Sequence, residues 1–126
     1  MSVATTQGIR VEVKSRYIPE RSSPPDNWFF AYQVTISNES EAVVTLRSRE
    51  WVITNANGRV QSVRGPGVVG EQPTMQPGEG FQYVSACPLD TPVGSMHGSY
   101  QMVTALGDVF DAKIAAFTLA EPMSVN

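Results

Sequence analysis

The sequence predicts an all-β domain, an antiparallel β-sandwich of about seven or more strands. Three observations carry this. First, 16 Val and 5 Ile stand against only 4 Leu, and branching at Cβ costs more in a helix than on a pleated surface. Second, apolar residues recur at alternate positions in successive segments, the period of a strand with one buried face. Third, turn residues interrupt these segments at spacings of roughly 8–12 residues, with no helical apolar period between them.

Each element follows from its residues. Over 8–18, Ile9, Val11 and Val13 point one way while Arg10, Glu12, Lys14 and Arg16 point the other. That is a strand with a solvated, mixed-charge face, which also protects a sheet edge. Residues 19–27 hold Pro19, Pro24 and Pro25 among Ser and Asp, and read as a loop. Trp28, Phe30, Tyr32, Val34 and Ile36 share a face of a second strand. A third covers 42–54, with Val44 and Leu46 early and Trp51 and Ile53 late. The polar run Arg47 to Glu50 breaks its phase, so a bulge is expected there.

Asn57-Gly58 suits a tight hairpin turn, because both tolerate positive φ. Arg59 to Arg64 returns as a short strand, and 65–80 is a long Gly- and Pro-rich connection of the kind that often carries function. Phe81 to Cys87 and the alternation Met96, Gly98, Tyr100, Met102 give two further strands. After the turn Leu106-Gly107-Asp108, the last strand runs from Val109 to Leu119. Its apolar parity slips after Ile114, which predicts a second bulge. Trp28 or Trp51 is expected at the core centre. A single Cys leaves no cystine, so among immunoglobulin-like sandwiches the fibronectin type III variety is the nearer analogue. Gly98-Ser99-Tyr100 reads as a tyrosine corner. Residues 1–126 form one domain, with 121–126 expected as a loose tail.

Composition excludes several classes. Charged residues are 17% and net charge is −3, against charge-driven disorder and against nucleic-acid binding through a strongly basic surface. The longest aliphatic and aromatic run is Trp28 to Tyr32, too short to span a membrane. One Cys and one His make neither an internal disulfide nor a zinc site. Residues 1–8 show no secretory pattern. The expectation is a cytoplasmic domain without a cofactor.

Gly65-Pro66-Gly67-Val68-Val69-Gly70 has the spacing of a dinucleotide-binding fingerprint. That fingerprint works only where a helix follows and offers its N-terminal amides to pyrophosphate. Here Pro73 and Pro77 stop any helix, so the Rossmann reading fails. Three readings remain: a tight structural crossover, an anion cradle made by successive amides with Arg64 assisting, and a protein-contact loop presenting Val68 and Val69. Residues 43–70 carry a net +3, the one basic segment, and the loop closes it. Glu71 opposes a phosphate there. The candidate anion or partner site is therefore Arg64, Gly65, Gly67, Val68, Val69 and Gly70.

Other chemistry is sparse. His97 alternates out of phase with the apolar residues around it and reads as a surface residue. Cys87 reads as a small core residue. Ser85, Ser95 and Ser99 lack a nucleophile elbow. Asp90, Asp108 and Asp111 read as turn and surface groups rather than metal ligands. No catalytic constellation is visible.

The run from Leu46 to Met102 resembles the ApaG family. The residues that carry the likeness are Leu46-Arg47-Ser48-Arg49-Glu50-Trp51-Val52-Ile53-Thr54, Val63 to Pro73, Pro77-Gly78-Glu79-Gly80-Phe81, Leu89 to Met96 and Gly98-Ser99-Tyr100-Gln101-Met102. The resemblance implies a fibronectin-III-like sandwich. It also implies protein contact, since related domains in F-box proteins and in a DNA-polymerase-interacting protein are thought to bind partner proteins. Bacterial members are linked to cobalt and magnesium tolerance, their gene often neighbours a diadenosine tetraphosphate hydrolase, and the glycine motif is described as a candidate pyrophosphate site. The resemblance leads us to expect Asp in many members where this chain has Asn55. The expected function is a non-enzymatic protein–protein interaction module, with phosphate or nucleotide binding by the Gly65–Gly70 loop as the alternative.

Overall fold

The computed structural model describes residues 1–122. In chain order the strands are β1 (Ser2–Thr6), β2 (Ile9–Tyr17), β3 (Trp28–Asn38), β4 (Val44–Asn55), β5 (Val60–Pro66), β6 (Thr74–Met75), β7 (Gly80–Leu89), β8 (Val93–Thr104) and β9 (Val109–Ala120). One sheet runs β1-β2-β3-β7 and the other β5-β4-β8-β9, with β6 also paired to β4. All the pairings are antiparallel. The two sheets face each other as a sandwich. Among the described residues no helix is long and apolar enough to cross a membrane.

The core is the set of alternating positions. Ile9, Val11 and Val13 of β2 and Phe30, Val34 and Ile36 of β3 are buried on one inner face. Leu46, Met96, Met102, Ile114 and Leu119 oppose them from the other. Trp51, 3% exposed, is the central aromatic. Its ring meets Tyr32, Phe117 and Tyr100 edge-on at centroid distances of 5.2, 5.9 and 6.3 Å, geometry that adds about 0.5–1.5 kcal/mol per pair beyond burial. Trp28 sits at the rim, where its indole donates to Glu121 Oε2 at 2.7 Å.

Both expected bulges are present. The β4–β8 register shifts between Leu46 and Ser48. Arg47 is the extra residue, and the shift lets even-numbered Val44 and Leu46 and odd-numbered Trp51 all point inward. The second shift lies between Met96 and Gly98 of β8, opposite Ile114 and Phe117 of β9. Gly98 is there because a Cβ would run into the Glu50 carbonyl of β4.

Two strands escape the sequence reading. β1 forms a hairpin with β2 through Gln7 (φ +47) and Gly8 (φ +80), but its inward residue is Ser2 and its outward one Val3, so alternation gives no signal. β6 is two residues long, inside the connection. The tyrosine corner is a misreading. The Tyr100 hydroxyl hydrogen-bonds the Tyr83 hydroxyl across the core, not a backbone group. Of the expected loose tail, Glu121 is tied down: its amide donates to the Pro92 carbonyl at 2.9 Å. Residues 123–126 lie outside the described residues.

The two long sides of the sandwich differ. On one, β9 packs on β1 and β2. There the Ser15 hydroxyl donates to the Thr118 carbonyl at 2.9 Å, and the Lys113 amide to the Thr6 hydroxyl at 3.1 Å. On the other, the edge strands β7 and β5 end their sheets, and no hydrogen bond joins them among the described residues.

Candidate functional site

The glycine loop is an ordered hairpin anchored to the β4 bulge. Bulging frees the Arg47 carbonyl from the ladder, and it accepts the Gly67 amide and the Gln72 side-chain amide, each at 2.8 Å. From the same strand, Arg49 Nη1 donates to the carbonyls of Pro66 at 3.1 Å and Gly67 at 2.9 Å. The guanidinium packs flat under Gly65, where a Cβ would crowd it. Gly67 (φ +60) has no room for a Cβ beside the Glu71 carbonyl.

Val68 and Glu71 exchange backbone hydrogen bonds of 2.8 and 2.9 Å. The tip is the two-residue turn Val69-Gly70, at φ +44 and φ +80, the mirror-image turn whose twist suits a hairpin. Gly70 adopts this freely. Val69 does not: positive φ in a β-branched residue is an outlier, at a cost of about 1–3 kcal/mol. The strain displays an apolar side chain, since Val69 is 56% exposed.

The predicted site residues therefore divide. Val69 and Gly70 form an exposed tip. Val68, expected to be presented with Val69, is instead 1% exposed and part of the core, because neighbours in a hairpin point to opposite sides. Arg64 is exposed and ion-paired with Glu50 rather than turned into the loop. The Gly67 amide is consumed by the Arg47 carbonyl of β4, and the amides of Val68 and Glu71 by each other's carbonyls, leaving Val69 and Gly70 outside this set.

Beside the tip the open side of the sandwich forms a groove. A cavity of about 410 Å³ runs from Val69 and Gly70 to Arg49, Trp51, Tyr83 and Ser85. Burial raises the Tyr32 hydroxyl above its ordinary value and pushes those of Tyr83 and Tyr100 well above the usual tyrosine range. Burial also pushes the Cys87 thiol up to about 11, so it is a neutral core group and a poor nucleophile at neutral pH. His97 is exposed on β8. Asn55 uses both ends of its amide: Nδ2 donates to Asp90 Oδ1 at 3.0 Å while Oδ1 accepts the amides of Asn57 and Arg59.

Fold and loop define a class of protein: a two-sheet antiparallel β-sandwich with an ordered glycine hairpin laid across the bulge of one strand. Within that class, the chain belongs to the ApaG family. The family model described as "ApaG domain" matches residues 19–104. The chain is 51% identical to "Protein ApaG" of Anaeromyxobacter dehalogenans, with both chains covered completely. It is 52% identical to that of Beijerinckia indica, over 94% of this chain and 92% of the relative. A crystal structure of the Bordetella pertussis protein there called ApaA superposes with a TM-score of 0.88 at 48% identity, covering 90% of this chain and 94% of that one. The C-terminal domain of wzt shares the fold alone, with a TM-score of 0.54 and 13% identity.

Proposed function

We propose that this domain is a non-enzymatic protein–protein interaction module of the cytoplasm. Its contact is the hairpin tip at Val69 and Gly70, flanked by Arg64, Gly65 and Gly67. The observation that carries the reading is Val69: an exposed β-branched residue held at positive φ. Selection for stability alone would replace it by Gly or Asn, which adopt that conformation at little cost. Strain retained at an exposed apolar tip points to a contact made there. The chemistry-bearing side chains support the non-enzymatic part, since the Cys87 thiol is held neutral and Arg49 is tied to loop carbonyls. The tolerance of cobalt and magnesium associated with ApaG proteins then runs through the partner.

Anion binding by the same loop has less support, because the amides of Gly67, Val68 and Glu71 are already hydrogen-bonded to carbonyls and Glu71 adds a carboxylate next in sequence to Gly70. The test is affinity capture from cells with wild type, Val69→Asp and Leu106→Ser. Leu106 is 91% exposed in a turn outside the site, so its variant controls for any loss of surface hydrophobicity. Wild type and Leu106→Ser retain a shared partner and Val69→Asp loses it. Three identical partner sets overturn the reading, and calorimetric heat with pyrophosphate favours the anion alternative.

A further inference from the structure

The hairpin tip is one end of a longer feature. The cavity beside Val69 shares Tyr32, Arg49, Trp51 and Ser85 with a second of about 260 Å³. The second shares Ile53, Gln61 and Pro88 with a third of about 320 Å³. Common walls make the three one groove, running between the edges of β7 and β5 along the unstitched side of the sandwich.

Three properties of the groove specify what fits it. One wall is β7, ten residues from Gly80 to Leu89 and last in its sheet. Alternate backbone amides and carbonyls of an edge strand point away from its one partner, a template for an added strand. Midway along stands the half-buried Arg49 guanidinium, with no carboxylate paired to it among the described residues. In the floor lies Trp51, whose Nε1 is sealed from solvent and has no hydrogen-bond partner. An indole N–H buried without a partner destabilises the fold, and an arriving acceptor recovers that loss. Because Nε1 is sealed, a side chain of the groove wall has to rotate to admit that acceptor.

An open strand edge, an uncompensated cation and an orphan donor, set among Ile53, Val63, Cys87 and Met96, share one complement. We infer that the groove receives an extended acidic–aliphatic peptide segment of a partner protein. Its backbone pairs with β7, and one of its carboxylates meets Arg49 and the Trp51 indole. This rests on the reading of the domain as a protein-binding module and names the chemistry of the partner.

The experiment is selection of displayed random octapeptides on the immobilised full chain, followed by NMR titration of the labelled protein with the enriched peptides in synthetic form. The expected peptides carry Asp or Glu between aliphatic residues, move the Trp51 indole N–H resonance, and slow amide exchange in Phe81–Cys87. Trp51→Phe, which keeps a packed ring and removes the donor, weakens them about tenfold, the loss expected for one hydrogen bond of 1.4 kcal/mol. Enrichment of basic peptides, peptides that leave the Trp51 indole unmoved, or no enrichment overturns the inference. Those results leave the Val69 contact standing if Val69→Asp still loses the cellular partner. Conversely, acidic peptides in the groove with no effect of Val69→Asp uphold the groove and remove the tip.

Discussion

Arg49 Nη1 and the Gly67 carbonyl oxygen are 2.9 Å apart, a charge-assisted hydrogen bond that ties the glycine hairpin to the strand beneath it. The same nitrogen also serves the Pro66 carbonyl. Replacing Arg49 by Met keeps the aliphatic stem and removes both bonds. We expect a loss of about 2 kcal/mol in urea unfolding. Amide exchange at Gly67 should quicken more than at the core strands.

Val69 and Val68 separate strain from packing. Val69→Gly removes a β-branched side chain from positive φ and should stabilise the domain by about 1 kcal/mol. Val68→Ala empties a core position and should cost about 2 kcal/mol. Equal urea midpoints for the two variants would contradict the assignment of one residue to the tip and the other to the core.

The hydroxyls of Tyr83 and Tyr100 satisfy each other in the core. Either single Tyr→Phe substitution leaves a buried hydroxyl without a partner and should cost about 1–3 kcal/mol. The double variant removes both polar groups and should lie closer to wild type than the sum of the singles. A double-mutant cycle with no coupling would contradict the pairing.

Alkaline pH should unfold the protein through the same buried groups. Tyr32, Tyr83, Tyr100 and Cys87 all lose protons less readily folded than unfolded, because burial disfavours the charged form. The unfolded chain therefore binds fewer protons above their ordinary values, and stability falls as pH rises. For Cys87 the loss begins at its ordinary value of 9.0 and is complete near 11. Thermal unfolding midpoints should be flat below that range and drop within it. A rising midpoint there would refute the burial of these groups.

Much of the fold was legible because strands announce themselves by a period of two. Even the bulges were visible as parity breaks, at Arg47–Glu50 and after Ile114. β1 was not, because Ser2 faces in and Val3 out. The site was legible only in part. Irregular chain has no period, so nothing in the residues 65–70 distinguished Val68 from Val69. The groove was invisible for a different reason. Arg49, Gln61 and Ser85 come from three strands whose juxtaposition depends on sheet order, and an unpaired indole is a property of packing rather than composition.

The account stands on contact at the Val69 tip. The most direct measurement is in-cell crosslinking with a photo-reactive amino acid in place of Val69, and separately in place of Leu106. The account predicts a discrete adduct with a different protein from position 69 and none from 106. No adduct at 69, or the same adduct from both positions, would contradict it.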